Sequence, residues 1–172
     1  MKQRMVAIAL AGIYLGSAGS LWAADPVELT TRVSGVVETV LVKPGQHVKK
    51  GAVLLRLDKT VLQAQLDEAT AEQALAQADE EDARRELERA KELFDRTVSS
   101  TSELEASTLR HVRAKATLSR TNARRVIAQK NLRDGDLRAP FNGVISSVPG
   151  GPGTVVTADC QPKPLVILSS QP

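Results

Sequence analysis

The sequence predicts an α+β fold: a split β-sandwich with a long antiparallel α-helical coiled-coil hairpin inserted between its two halves. Three observations predict it. A β-type pattern occurs twice, near the two ends of the chain. Between the two copies the apolar period becomes helical, and the two helical segments carry opposite net charges. The 172 residues have room for one domain, or for one small core with an extended element.

The β-type repeat is seen when the two ends of the chain are laid on each other. The first copy, from Ser34, reads SGVVETVLVKPGQHVKKGAVLLRL, and the second, from Asn142, reads NGVISSVPGGPGTVVTADCQPKPLVIL. Both alternate apolar and polar residues between turn signals, as short strands do. Because neither copy could bury a core alone, we expect one pseudo-symmetric sandwich or flattened barrel. The matched positions are Gly35 with Gly143, Gly45 with Gly153, and Val48 with Val156.

The segment between the copies contains no Gly or Pro from 52 to 134 and has a heptad period. We expect helices over about 60–97 and 102–133, joined by a turn in the stretch TVSSTSELE. The predicted inward series is Leu62, Leu66, Ala69, Gln73, Ala76, Glu80, Ala83, Leu87, Ala90 and Phe94 in the first helix, and Leu109, Val112, Ala116, Ser119, Ala123 and Val126 in the second.

Both helices begin at residues that can satisfy free backbone amides. Asp58 is placed to accept hydrogen bonds at the start of the first helix, where the positive end of the dipole also favours a carboxylate. Ser102 followed by Glu105 has the spacing of a capping box for the second helix.

The charges of the two helices favour an antiparallel hairpin. Residues 60–97 carry 11 acidic and 5 basic side chains, net −6, whereas residues 102–133 carry 8 basic and 2 acidic ones, net +6. Each exposed pair contributes only a few tenths of a kcal/mol, so the pairs select the partner and its register. Folding back near residue 99 is expected to bring Glu86 and Glu88 near Arg110 and Arg113, and Asp67, Glu68 and Glu72 near the basic residues from Arg124 to Arg133.

The N-terminus has the features of a secretory signal over residues 1–23. A short positive region is followed by an apolar stretch and then by small residues. Cleavage after Ala23 is favoured over cleavage after Ala24, because the latter puts bulky Trp22 at a specificity position. An uncleaved N-terminal membrane anchor is the alternative.

Composition excludes several functional classes once this segment is removed. The formal charge falls from +3 to +1, and Phe94 and Phe141 become the only aromatic residues, so neither charge nor stacking favours a nucleic-acid partner. The two His residues lack metal-ligand spacing, and the single Cys160 permits no internal disulfide. Phosphate-binding loops and nucleophile elbows are absent from the sequence, which predicts a non-enzymatic protein without cofactor.

The two half-motifs and the inserted hairpin resemble the periplasmic adaptor, or membrane fusion, proteins of the HlyD/AcrA-like family. The matching stretches are SGVVETVLVKPGQHVKKGAVLLRLD and LRAPFNGVISSV, the latter close to the family's APFDG signature. The resemblance implies an N-terminal lipoyl-like half at 24–58, a helical hairpin at 59–135 with its tip at about 97–102, and a C-terminal lipoyl-like half at 136–172.

A second match to the family lies at the hairpin tip. Adaptors that engage TolC-type outer-membrane channels show Arg, three residues, Leu, six residues, Ser, and RAKELFDRTVSS supplies Arg89, Leu93 and Ser100 at that spacing. The resemblance implies that these three residues contact the channel. The alternative is that Arg89 is an ordinary surface charge and Leu93 packs the last turn.

The sequence departs from the family after the second half-motif. Typical adaptors continue into a β-barrel and a membrane-proximal domain, whereas this sequence reaches VILSSQP. A minimal adaptor, a subunit completed by another polypeptide and a truncated product all remain open. The stretch ADCQPKP is also irregular, and Cys160 is expected to lie in that loop as an incidental thiol.

The resemblance predicts a periplasmic adaptor associated with the inner membrane. It would link an inner-membrane transporter of RND or ABC type to a TolC-type channel, for efflux or type I secretion, as a homo-oligomeric ring such as a hexamer. One rival is a lipoyl or biotinyl carrier modified at Lys59, which aligns with the carrier lysine. The other is a periplasmic coiled-coil scaffold without a transport partner.

Overall fold

The computed structural model describes residues 26–158 and 163–170. In this part of the chain, four strands precede two long helices and four strands follow them, which is the predicted α+β order. The predicted signal segment with Ala23 and Ala24, and the loop residue Cys160, lie outside the described residues. The elements are β1 Pro26–Leu29, β2 Gly35–Val40, β3 His47–Val48, β4 Val53–Leu57, α1 Thr60–Asp95, α2 Thr101–Asp134, β5 Asp136–Arg138, β6 Gly143–Ser147, β7 Val155–Val156 and β8 Val166–Ser170.

The strands form two antiparallel sheets, in the orders β1-β8-β6-β3 and β5-β4-β2-β7. The repeat found in the sequence is confirmed strand by strand, since β2, β3 and β4 correspond to β6, β7 and β8. Each copy places its short strand in the sheet of the other copy: β3 pairs with β6, and β7 pairs with β2. The turns also match, because Gly45 N donates to Ile145 O at 2.7 Å and Gly153 N donates to Val37 O at 2.8 Å. We call these interlocked sheets the β body.

The core of the β body lies between the two sheets and takes side chains from both copies of the repeat. Its packing leaves no space for side chains where strands approach closely: a Cβ atom on Gly143 would lie 2.3 Å from the carbonyl oxygen of Ser169. The two copies therefore fold as one unit, as the sequence predicts. The largest fully buried side chains are Leu54, Leu55, Leu57, Ile145, Leu165, Leu168, Val37 and Val166.

The two helices form an antiparallel hairpin of roughly 54 and 51 Å at the usual rise per residue. Both begin and end within two residues of the predicted limits. The inward series predicted for α1 is confirmed from Leu62 to Ala90, since every one of its positions is shielded from solvent, but Phe94 is 38% exposed. Within the described residues, no helix is long and apolar enough to span a membrane.

The inward series predicted for α2 is wrong. All six of its residues are exposed. The residues of α2 that face α1 instead form a series shifted by two positions along the chain: Leu104, Ser107, His111, Ala114, Leu118, Thr121, Arg125, Ala128 and Leu132. The small residues of α1 bring the helices close together, so small or hydroxyl residues occupy the tightest contacts. Ser107 and Thr121 are buried there with their hydroxyls hydrogen-bonded. The prediction for α2 rested on the spacing of apolar residues alone, and that spacing follows the outer face of the helix.

Candidate partner-binding site at the hairpin tip

The end of α1 is closed by two backbone hydrogen bonds that turn the chain toward α2. Thr97 N donates to Phe94 O and Val98 N donates to Leu93 O, both at 2.9 Å. This is the Schellman arrangement, in which the residue after the helix takes a left-handed conformation that glycine usually supplies. Here Thr97 has φ +61°. A β-branched residue therefore holds the tip in a conformation that is costly for it.

Ser100 caps α2 at the other side of the turn. Its backbone is extended and its Oγ accepts a hydrogen bond from Glu103 N at 3.3 Å. The capping box predicted at Ser102 and Glu105 is wrong, because the same spacing occurs two residues earlier and the turn is correspondingly shorter. With one lone pair engaged by the cap, the Ser100 hydroxyl can still donate a hydrogen bond outward.

Arg89 and Leu93 lie on one side of the hairpin, where they line a shallow groove between α1 and α2. Leu93 is 42% exposed and Val98, at the apex of the turn, is 72% exposed. Arg89 makes no ion pair with any described residue. The structure thus brings Arg89 and Leu93 together, whereas Ser100 lies on the turn outside the groove. The other residues that line the groove are Glu86, Ala90, Glu103, Ser107 and Arg110.

One of the two ion pairs expected beneath the tip is present. Glu86 Oε2 lies 3.5 Å from Arg110 Nε. Glu88, by contrast, pairs with Arg84 of its own helix at 3.0 Å, because it points away from α2, and Arg113 has no ion-pair partner in the described part of the chain. The expected proximity of Glu88 and Arg113 is therefore corrected.

Two further pairs connect the helices below the tip. Arg124 Nη1 lies 3.1 Å from Glu72 Oε2, as the charge pattern predicts. The second pair, between His111 Nε2 and Glu80 Oε1 at 3.0 Å, lies in the shielded seam and was not predicted. Its signal was Glu80 itself, a polar interruption of the α1 series that requires a partner when it is buried.

Lys59 lies at the root of the hairpin and is held by an ion pair. Its Nζ is 2.7 Å from Asp136 Oδ1, which joins the first turn of α1 to β5. Asp136 also pairs with Arg56 and Arg138. A swinging-arm lysine stands free at the apex of a β turn, and Lys59 fits neither condition.

Asp58 accepts hydrogen bonds at the start of α1, much as the sequence predicts. Its Oδ1 accepts from the backbone amide of Thr60 at 2.9 Å and from the Thr60 hydroxyl at 2.7 Å, although the residue at the N-cap position is Lys59. The backbone and side-chain hydrogen bonds from Thr60 lower the pKa of the Asp58 carboxyl.

Comparison with known proteins gives one consistent family. The model of the CzcB-like, barrel-sandwich hybrid domain matches residues 26–162. The efflux pump periplasmic linker BepF of Brucella suis is 34% identical over 153 residues, which cover 89% of this chain and 37% of the relative. The multidrug resistance protein MdtA of Pectobacterium carotovorum is 28% identical over 159 residues, covering 92% and 38%.

A solved structure shares the arrangement of sheets and hairpin. It is a MacA–MexA chimeric protein that contains the α-hairpin domain of Pseudomonas aeruginosa MexA, with a TM-score of 0.57 and 25% identity. The match covers 86% of this chain and 47% of that one. The chain thus spans less than half the length of each of these proteins.

Proposed function

We propose that this chain, which belongs to the CzcB-like barrel-sandwich hybrid family, is a periplasmic adaptor subunit of an efflux or secretion system. It would link an inner-membrane transporter of RND or ABC type to a TolC-type outer-membrane channel, without catalysing a reaction. The relatives support this role by name, since one is an efflux pump periplasmic linker and the other a multidrug resistance protein.

The observation that carries the proposal is the surface at the hairpin tip. Leu93 and Val98 expose apolar side chains beside Arg89, a cation with no ion-pair partner among the described residues. Exposed apolar side chains rimmed by polar groups are typical of protein interaction sites. A guanidinium can bind carboxylates or carbonyl oxygens of a partner, while the leucine fills a groove between its helices.

Export and assembly follow from the same role. The N-terminal signal would direct the chain to the periplasm, with cleavage after Ala23, and the β bodies would associate into a homo-oligomeric ring such as a hexamer. The hairpins of such a ring would form a tube that meets the channel.

The carrier hypothesis is less well supported than the adaptor hypothesis. It requires a free and exposed Lys59, and that residue is engaged by Asp136 at the root of the hairpin. Intact mass separates the two hypotheses, because a lipoyl or biotinyl adduct on Lys59 would contradict the adaptor role.

Site-specific cross-linking tests the channel contact. We expect a cysteine at Val98, in a Cys160→Ser background, to label an outer-membrane channel protein in intact cells. Val98 is preferable to Ser100 because its exposed side chain makes no capping hydrogen bond, whereas the Ser100 hydroxyl caps α2. Adding Arg89→Glu should abolish the labelling, since it replaces the cation offered to the channel.

Lys91→Glu is the matched control for this experiment. It makes the same charge reversal two residues away, on the side of α1 turned from the groove, and should leave labelling unchanged while both variants keep their helical circular dichroism. Absence of channel labelling from the Val98 cysteine, or equal effects of the two reversals, would contradict the proposed site.

A further inference from the structure

A cleft of about 330 Å³ lies beside β5, at the root of the hairpin. β5 lines one part of it, residues 30–32 of the connection between β1 and β2 line another, and Lys130 and Asp134 of the last turn of α2 complete the lining. We call it the β5 cleft. Its volume is at the small end of the range for ligand-binding pockets. The contacts proposed at the tip of the hairpin do not involve it.

β5 exposes backbone groups that no strand of the described structure covers. It is an edge strand, and β4 is its neighbour in the sheet. Ala139 directs both its backbone groups to the β4 side, since it donates to Ala52 O at 2.9 Å and accepts from Gly51 N at 2.8 Å. These directions alternate along an antiparallel strand. The N–H and C=O groups of Asp136 and Arg138 therefore point away from β4, toward the cleft.

The residues opposite β5 leave this edge open. Thr31 uses its hydroxyl to donate to Val33 O within its own loop, at 2.9 Å. Within the described ranges, residues 30–32 make no hydrogen bond to β5. A loop that only covered the edge would satisfy its backbone groups. The β5 cleft instead keeps two N–H donors and two C=O acceptors available.

Cations outnumber carboxylates in and beside the cleft. Its two carboxylates are already engaged, because Asp134 pairs with Lys130 and Asp136 pairs with Lys59 at 2.7 Å. Arg32 is exposed and makes no ion pair with any described residue. Five cations against two carboxylates leave a net charge of +3 in this part of the structure. The five are Arg32, Arg56, Lys59, Lys130 and Arg138.

We propose that the β5 cleft binds an extended acidic peptide segment of another protein, which adds as a strand to the edge of β5. The outward backbone groups of Asp136 and Arg138 pair with the backbone of the segment. Carboxylates of the segment meet Arg32 across the cleft and Arg138 on β5. The inference goes beyond the proposed function, because it assigns a binding site to the root of the hairpin, at the end opposite the tip.

The backbone groups favour a peptide over a phosphate or a lipid headgroup. A phosphate diester can accept hydrogen bonds from Arg32 and from the N–H groups, but it has no donor for the carbonyl oxygens of Asp136 and Arg138. A peptide strand supplies donors and acceptors in alternation. Because only four backbone groups are available, attraction to the cations must contribute, and binding should weaken as salt is added.

Fluorescence anisotropy with a labelled synthetic peptide tests the charge requirement. The probe is a short blocked peptide of alternating Glu and Val, added to the full chain. We expect saturable binding that Arg32→Glu weakens by about tenfold or more, since it sets a carboxylate against those of the peptide. Lys115→Glu is the matched control, because Lys115 is an exposed cation on α2, remote in sequence from the cleft and without an ion pair in the described residues. It should leave the affinity unchanged.

Amide hydrogen exchange measured by NMR tests the added strand. On saturation with the peptide, the amides of Asp136 and Arg138 should exchange about tenfold more slowly or less, because a hydrogen-bonded amide exchanges only when its bond opens. The amide of Leu137, which the alternation directs to β4, is the internal control and should not change. A peptide of the same sequence with methylated backbone nitrogens keeps the charges but loses its donors, and it should fail to bind.

Several results would overturn the proposal. Equal binding of the methylated peptide would show general attraction between charges and no added strand, and equal effects of Arg32→Glu and Lys115→Glu would place the peptide elsewhere. Binding of phosphatidylglycerol vesicles through Arg32, without binding of the peptide, would assign the cleft to a membrane surface. Slow exchange of Asp136 and Arg138 that increases with protein concentration in the absence of peptide would assign the edge to a second copy of the chain.

Discussion

The β body and the helical hairpin are built from the same chain but are stabilised in different ways. The β body encloses large aliphatic side chains such as Leu57 and Ile145, which are fully buried between two sheets. The hairpin has a seam one side chain thick, where Ala76 and Thr121 are among the best-buried residues and most large apolar side chains face outward. Apolar area therefore stabilises the β body, whereas close approach and a few cross-helix pairs define the hairpin.

This difference has a consequence for function. Because the seam is thin, most of the surface of each helix is exposed, and the hairpin presents a long surface to other proteins. The β body holds the end of the hairpin that lies opposite the tip. The hairpin would be poorly stable alone, because an isolated pair of helices with small inner residues buries little apolar surface. Three substitutions test this contrast.

The largest effect is expected for Leu57→Ala in the core of the β body. Removing a fully buried leucine should lower the free energy of unfolding by about 2–5 kcal/mol, because both transfer energy and a cavity contribute. Hydrogen exchange measured by mass spectrometry should show faster exchange through β2 and β4. The matched control is Val155→Ala, at a 70% exposed position of the same body, which should cost less than about 1 kcal/mol. Equal losses would show that the β body has no tightly packed core.

An intermediate loss of stability is expected for Ala76→Leu in the seam, where the substitution adds side-chain atoms instead of removing them. The added side chain would separate helices that touch through small residues, with a cost of about 1–3 kcal/mol. Denaturant unfolding followed by circular dichroism at 222 nm measures it. Ala74→Leu adds the same atoms at an exposed position of α1 and should change stability by no more than about 0.5 kcal/mol. A neutral Ala76→Leu would contradict the close-packed seam.

The smallest effect, and the only stabilising one, is expected for Thr97→Gly at the tip. Glycine adopts φ +61° without the steric cost that a β-branched residue incurs, so the substitution should add about 0.5–1 kcal/mol. The same change at Thr108, inside α2, should lower stability by several tenths of a kcal/mol. Thermal unfolding reports both signs, and a destabilising Thr97→Gly would show that the threonine side chain contributes at the tip.

The β body was predictable from the sequence because its repeat carries positional information. Glycines at matched turns and alternating apolar residues mark the two copies of the repeat, which form β2 to β4 and β6 to β8. The pairing of β3 and β7 with strands of the other copy was not predictable. Turn signals and alternating residues indicate which strands are neighbours within one copy, but they give no information on pairing between copies.

The hairpin was predictable in its limits and in two of its cross-helix ion pairs, but the face that α2 presents to α1 was not. Ala and Ser residues occur on several sides of α2, so the large apolar residues gave the periodic signal, and Leu109, Val112 and Val126, which defined it, face outward. The tip was partly predictable: Arg89 and Leu93 share a groove, but Ser100 had a capping role that the channel-contact spacing did not indicate. The channel contact itself stays a prediction.

The attachment of the hairpin has a mechanical consequence. α1 leaves the body directly after β4, α2 returns directly into β5, and these two strands are paired, with Leu57 N bonded to Gly135 O and Lys59 bonded to Asp136 across the join. Both helices are thus attached to the same pair of hydrogen-bonded strands, so a rotation of that pair would carry both helices with it. Over a length of roughly 54 Å, a tilt of about 5° at these strands displaces the tip by about 5 Å, one helical turn. A small rotation of the β body would therefore move the tip, and any partner bound there, by a larger distance.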